Sequence, residues 1–286
     1  MIEIYQREGG KFLSDFMSLL ADIKEDGGQI RPAADLFFYG SLSSGQIVFG
    51  GENLTYSSDE LVGGTITVIS SQPSPESGFA MQGVSLTAKQ VTDLLDGKPA
   101  AFLDQLQNSP WEYRGSAYND DVVAGNLNDD IDGRAGNDVL RGGAGSDVLH
   151  GGTGADQLFG DTGVDVLSGD EGADLLRGGS GADRFEFSAL SHSTASASGR
   201  DLILDFNRGQ DDKIDLARMD ANTTLADDQA FSFIGKAAFS GKAGELRYGI
   251  TGEITTISGD VNGDGVADFR VSLDRSLAMV ASDFLL

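Results

Sequence analysis

The sequence predicts a mainly β protein: a stack of nine-residue repeats, a β-rich segment behind it and a small α+β segment in front. Three observations carry this. Seventeen of the forty glycines fall within residues 115–186, a quarter of the chain, the stretch from Gly133 to Glu186 keeps an unbroken nine-residue period, and the stretch after it alternates short apolar runs with turn residues.

Charge narrows the partners. The 286 residues include 45 acidic and 20 basic side chains, a formal charge of −25. A compact chain with that excess repels itself unless cations screen or bind it. Nucleic acid and anionic membrane surfaces are therefore poor partners, and divalent cations are good ones. Cysteine is absent, which removes disulfides and thiolate metal sites and leaves a metal as one available staple. No apolar run approaches the roughly 20 residues of a membrane span. Met1-Ile2-Glu3-Ile4 begins no positively charged region followed by an apolar one, so Sec-type export is not indicated.

The repeats read GRAGNDVLR, GGAGSDVLH, GGTGADQLF, GDTGVDVLS, GDEGADLLR and GGSGADRFE, with two looser copies starting at Gly115 and Ala124. The sixth place is always aspartate: Asp120, Asp129, Asp138, Asp147, Asp156, Asp165, Asp174 and Asp183. The eighth is always apolar: Val122, Ile131, Leu140, Leu149, Leu158, Leu167, Leu176 and Phe185. Glycines at the first, second and fourth places are expected to take positive φ and turn the backbone so that its carbonyls face inward. Calcium is a hard cation that takes six to eight oxygens from carboxylates and carbonyls. One such turn, closed by its aspartate, supplies about half of that shell, and a turn stacked on it supplies the rest. The candidate ligands are those eight aspartates together with Gly136, Gly143, Gly145, Gly152, Gly154, Gly163, Gly172, Gly179 and Gly181. Tyr118 and Leu127 stand where the fourth glycine belongs, so those turns are expected to bind weakly or to cap the stack. Arg134, Asp161 and Asp170 replace the second glycine. Aspartate tolerates positive φ better than arginine does.

These repeats resemble the calcium-binding nonapeptides of RTX (hemolysin-type) proteins. The resemblance implies a parallel β-roll in which two nonapeptides make one coil, repeats i and i+2 lie above one another, and calcium sits between stacked turns. Eight repeats then hold at most six ions, which lower −25 to about −13.

Behind the roll, residues 187–286 read as a cap of short strands: DLILDF (Asp201–Phe206) and KIDL (Lys213–Leu216) around a turn, then AFSFIG, AGELRY, EITTISGD and ADFRVSL. With the KIDLARMDAN, FIGKAAFSGKAGELRY and GDVNGDGVADF runs, this segment resembles the C-terminal domain of serralysin-type secreted metalloproteases. The resemblance implies a cap on the roll that also carries export information. The terminal Asp283-Phe284-Leu285-Leu286 is similar to the signal of type I secretion substrates, so the type I machinery is an implied partner and the extracellular space the implied location. Asp205 and Asp212 are added as candidate ligands of the last roll sites. Asp260 to Asp268 has acids and an amide at the first half of an EF-hand spacing, but Val271 occupies the place of the bidentate glutamate. A hairpin turn is favoured there.

The likeness stops at the protease. His150 and His192 are the only histidines, and neither belongs to H-E-x-x-H. No G-x-S-x-G elbow is present. Residues 1–114 are expected to form an α+β domain: a helix over Phe12–Ile23, strands at LFFYG, QIVFGG, LTYSS and GGTITVIS, and helices at LTAKQVTDLL and PAAFLDQL. Its acids, among them Asp35, Glu52, Asp59 and Glu60, are the solvated carboxylates usual in so acidic a chain, and catalysis is not expected of them. The leading expectation is a non-catalytic secreted protein that folds on calcium, with a partner-binding domain in residues 1–114, a roll in 115–186 and a cap in 187–286. The alternative is an extracellular carbohydrate-binding or carbohydrate-active protein acting through residues 1–114 on a polysaccharide. A membrane-active role is weakest, because no long amphipathic segment is present.

Overall fold

The computed structural model describes residues 100–286 apart from Ser116 and, ahead of them, the backbone of six strands. These are β1 (Ile2–Gln6), β2 (Ile30–Ala33), β3 (Leu36–Leu42), β4 (Gly45–Ser57), β5 (Glu60–Ser71) and β6 (Phe79–Thr87), followed by helix α1 (Ala100–Gln107). Strands β2 to β6 form an antiparallel meander, and β6 pairs on to β1. The LTYSS run, expected as its own strand, instead continues β4 as far as Ser57. The helix expected over Phe12–Ile23 and the acids Asp35 and Asp59 lie outside the described residues, as does most of the helix expected over Leu86–Leu95.

The repeats give β7 (Trp111–Arg114), β8 (Asp121–Val123), β9 (Asp130–Asp132), β10 (Val139–Ala144), β11 (Val148–Gly154), β12 (Gln157–Thr162), β13 (Val166–Gly172), β14 (Leu175–Ser180) and β15 (Arg184–Glu186). From β7 to β15, odd-numbered strands fall in one parallel sheet and even-numbered strands in the other. Leu140 lies beside Leu158 and Leu149 beside Leu167, so one coil takes two nonapeptides. This is the parallel β-roll. The first sheet continues through β1 into the N-terminal meander, because β7 pairs in parallel with both β1 and β9.

Eighth-place side chains fill the roll. Tyr113, Ile131, Leu149, Leu167, Phe185 and Ile214 form a column along one sheet, and Val122, Leu140, Leu158, Leu176 and Ile203 along the other, all buried. Each coil therefore contributes two apolar side chains, too few to hold a glycine-rich backbone without another source of cohesion.

Beyond the repeats, β16 (Leu202–Ile203) and β17 (Lys213–Asp215) extend the two sheets. The cap adds β18 (Ser232–Gly235), β19 (Glu245–Thr251), β20 (Ile254–Asp260) and β21 (Phe269–Leu273), and finally β22 (Phe284–Leu285). Phe187 packs edge-on against Phe269 at 5.5 Å, and Phe233 meets Phe284 at 5.0 Å, which seals the end of the roll. Strand β22 lies parallel to β17 as an outermost strand. Its anchor is Asp283, a buried carboxylate gripped by Arg208 through Nε and Nη2, both at 2.6 Å. Arg208→Gln leaves that carboxylate without its cation and is expected to cost about 2 kcal/mol, below the usual cost of a broken buried pair because Arg208 is partly solvated. Urea unfolding in saturating calcium measures this, and a midpoint equal to that of the parent would refute it.

Candidate metal centre

The sixth-place aspartates form two ladders. The backbone N–H of each donates to Oδ1 of the aspartate one coil on: Asp120 to Asp138 at 2.7 Å, Asp138 to Asp156 at 2.7 Å and Asp156 to Asp174 at 2.8 Å on one side. On the other side Asp129 reaches Asp147 at 2.8 Å, Asp147 reaches Asp165 at 2.9 Å and Asp165 reaches Asp183 at 3.0 Å. One oxygen of each carboxylate is thus committed to the fold.

The other oxygen is not. Oδ2 of Asp138, Asp147, Asp156, Asp165, Asp174, Asp183 and Asp201 is buried without a hydrogen-bond partner. Burial pushes these carboxyl groups up from 3.8, to about 7 for Asp138, Asp147 and Asp174, about 6 for Asp156, Asp165 and Asp183, and about 9 for Asp201. A run of buried, half-satisfied carboxylates is costly unless protons or cations neutralise it.

First-place glycines show where a cation fits. A Cβ on Gly133, Gly151 or Gly160 would lie within 2.5 Å of Oδ2 of its own repeat and within 2.7 Å of the carbonyl oxygen of the first-place glycine one coil on. An orphaned carboxylate oxygen and a carbonyl oxygen therefore converge beside each of these glycines, with room only because no side chain is there. These are the hard oxygens calcium requires. Among the described residues no three histidine or carboxylate side chains converge as a metal cluster, so any ion here depends on backbone carbonyls. The residues present fit calcium.

The reason for the first glycine differs from the expectation. Positive φ occurs at the second place (Gly143, Gly152, Gly179) and the fourth (Gly136, Gly145, Gly154, Gly163, Gly181), and not at the first. Gly172 departs from its fourth-place neighbours in the same way. Arg134, Asp161 and Asp170 at the second place hold φ of 72°, 71° and 59° despite their side chains. The first place needs glycine for close approach instead.

The remaining candidates divide. Asp212 stands at the end of one ladder, where its Oδ1 accepts from Asp183 N–H at 3.1 Å and its Oδ2 from Asn207 N–H at 2.7 Å. Asp205 lies off the ladder and accepts from the N–H groups of Gly178 and Gly179 at 3.0 and 2.9 Å. Asp129 spends both oxygens on Trp111 and Gly125 N–H groups. Sequence reasoning missed Asp201, which ends the other ladder by accepting from Asp174 N–H at 3.1 Å. Its signal was the triplet Asp201-Leu202-Ile203, which repeats the sixth to eighth places of a nonapeptide with Ile203 buried. The Asp260–Asp268 segment is a hairpin turn between β20 and β21. Asp260 accepts from Gly263 and Gly265 N–H groups at 2.7 and 2.9 Å, and Asp268 from Val261 N–H at 2.9 Å. His150 and His192 both approach Asp170, each with Nδ1 3.3 Å from one carboxylate oxygen.

Residues 115–286, which hold the roll and its cap, match the family described as Peptidase M10 serralysin C terminal. The chain belongs to that family. As a serralysin C-terminal domain it is similar in places to solved modules. The AlgE6R2 subunit of the mannuronan C5-epimerase of Azotobacter vinelandii is 28% identical, covering 62% of this chain and 92% of that one at a TM-score of 0.37. The AlgE6R3 subunit of the same enzyme is 23% identical, covering 60% and 80% at 0.36. The extracellular lipase LipA of Serratia marcescens is 16% identical, covering 63% and 40% at 0.26. No curated protein matches the chain.

Proposed function

We propose that this is a secreted calcium-binding protein whose roll folds on binding the ion outside the cell, and that the roll and cap have no catalytic role. The observation that carries the reading is the set of seven buried aspartates with one unpartnered oxygen each. In this reading calcium supplies positive charge and coordination between stacked turns. The candidate holders are the ladder aspartates Asp138 to Asp183 and Asp201, with carbonyls of the glycine turns. Asp205 and Asp212 act through the backbone groups they already hold. The division into an N-terminal domain (1–114), the roll (115–186) and the cap (187–286) belongs to the same proposal, as does export by the type I machinery through Asp283–Leu286.

Extracellular calcium modules bind at about 10⁻⁴–10⁻³ M, so the chain stays unfolded at cytosolic calcium and folds beyond the membrane. Equilibrium dialysis of the full chain against calcium in that range tests the reading. The expected result is several bound ions per chain, no more than about six by the stacking argument. Fewer than one bound ion per chain would remove the proposal.

A further inference from the structure

Two arginines stand side by side with nothing acidic between them. Arg270 lies on β21, where Phe269 and Val271 on either side are buried, so its own side chain leaves by the outer face of the sheet. The loop 191–200 crosses this strand: Arg270 N–H donates to the Ser193 carbonyl at 3.3 Å, and Thr194 bridges to Phe269. That crossing carries Arg200 to the same spot. Arg200 Nη2 and Arg270 Nη1 both donate to one acceptor, the Ala195 carbonyl oxygen, at 2.8 and 3.3 Å.

A single neutral carbonyl is a poor counterpart for two cations. Arg184, Arg208 and Arg218 each have a carboxylate within 4 Å. Among the described residues Arg200 and Arg270 have none, in a chain with 45 acidic side chains. Arg200 Nε is also buried without a hydrogen-bond partner. Ser196 and Ser198, whose exposed hydroxyls meet at 3.0 Å, follow Ala195 in the same loop and offer further donors.

We propose that Arg200 and Arg270 form a seat for an oxyanion, a carboxylate or sulfate group carried by an acidic extracellular ligand, on the outer face of the roll beside β21. The planar forks of two guanidiniums match an anion with several oxygens far better than a spherical one. The anion gives the Nη–H groups acceptors, and it cancels the repulsion between the two cations. The seat lies on the opposite side of the strands from the buried core and does not use the ladder carboxylates.

The test uses the full chain in saturating calcium and follows the arginine Nε–H signals by nitrogen-15 NMR. Sodium acetate and sodium sulfate are added separately, with sodium chloride at matched ionic strength as the reference. The expected result is a saturable shift of the Arg200 Nε–H with acetate, sulfate or both, and none with chloride. Whichever anion acts identifies the class of group preferred. Arg270→Gln is expected to weaken the response about tenfold, the loss of a charge-assisted contact. Arg141→Gln, elsewhere on the same sheet, leaves it unchanged. Arg270→Lys keeps the charge and loses the fork, and it decides the matter if Arg270→Gln perturbs the fold by circular dichroism. An equal shift with chloride, no shift with either oxyanion, or an unchanged affinity in Arg270→Lys would overturn the proposal.

Discussion

Stripping calcium from the full chain with EDTA at pH 7 is expected to abolish most of the β signal of residues 115–286, and returning it at about 10⁻⁴–10⁻³ M to restore that signal. The balance of forces dictates this. Each coil buries two apolar side chains, while its glycines lose much backbone entropy and its aspartates stack with one buried oxygen each unpartnered. Protons are the other way to neutralise the stack, which gives the result a second arm. The carboxyl groups sit near 3.8 in the unfolded chain and at about 6 to 7 in the metal-free fold, with Asp201 at about 9. The folded state therefore binds more protons than the unfolded one through this window. Metal-free stability is greatest below the unfolded value and is lost as pH rises through 6 to 7. EDTA-treated protein is expected to regain β signal on acidification to about pH 4.5, and calcium binding near pH 6.5 to release protons. Far-UV circular dichroism reads the first. Calorimetry in two buffers of different ionisation heat reads the second. A spectrum that ignores both EDTA and acid would end the calcium-folding reading.

The second large effect is a reversal of sign within one side chain. Asp165 accepts from the Asp147 N–H through Oδ1 and leaves Oδ2 unpartnered. Asp165→Asn keeps the acceptor and removes the buried charge. Without calcium it is expected to make the roll easier to fold at pH 7, while the calcium concentration at half-folding rises about tenfold because one charged ligand is gone. Asp165→Ala loses both functions and leaves the Asp147 N–H unpaired, a cost of about 1–3 kcal/mol in either condition. Calcium titrations followed by circular dichroism separate the two. If Asn behaves like the parent and only Ala differs, the carboxylate serves the backbone alone.

The roll was readable because stacking writes itself into the sequence. A coil of eighteen residues forces aspartate, glycine and an apolar residue to recur on a nine-residue beat, and every eighth-place side chain from Val122 to Phe185 is buried as that beat requires. Legibility fails where the beat is broken. Asp174 reaches Asp201 across 27 residues instead of 18, because the loop through His192 and Ser196 is inserted between them. Arg200 and Arg270 lie seventy residues apart with no period to connect them. In the N-terminal meander, β4 pairs with β5 through several register shifts, which blur the alternation that marks a strand and divided Leu54–Ser58 from the strand it continues. The first-place glycine shows a subtler limit: sequence says that no side chain fits, while only the coordinates distinguish a forbidden dihedral from an occupied space.

The place where the aspartate ladders end makes the roll mechanically uneven. Each coil is tied to the next by ladder N–H donors whose aspartate acceptors lie in the coil on its C-terminal side, and by return bonds such as Val139 N–H to the Asp120 carbonyl, and the last ladder acceptors, Asp201 and Asp212, lie within the cap. A load applied at the N-terminal end would meet the ties one coil at a time, as in a zip fastener. Each yielding coil frees eighteen residues, about 60 Å of slack. A load borne across the strands of the cap would have to shear several paired strands together. The same string of weak ties is thus a compliant tether from one end and a stiff anchor at the other.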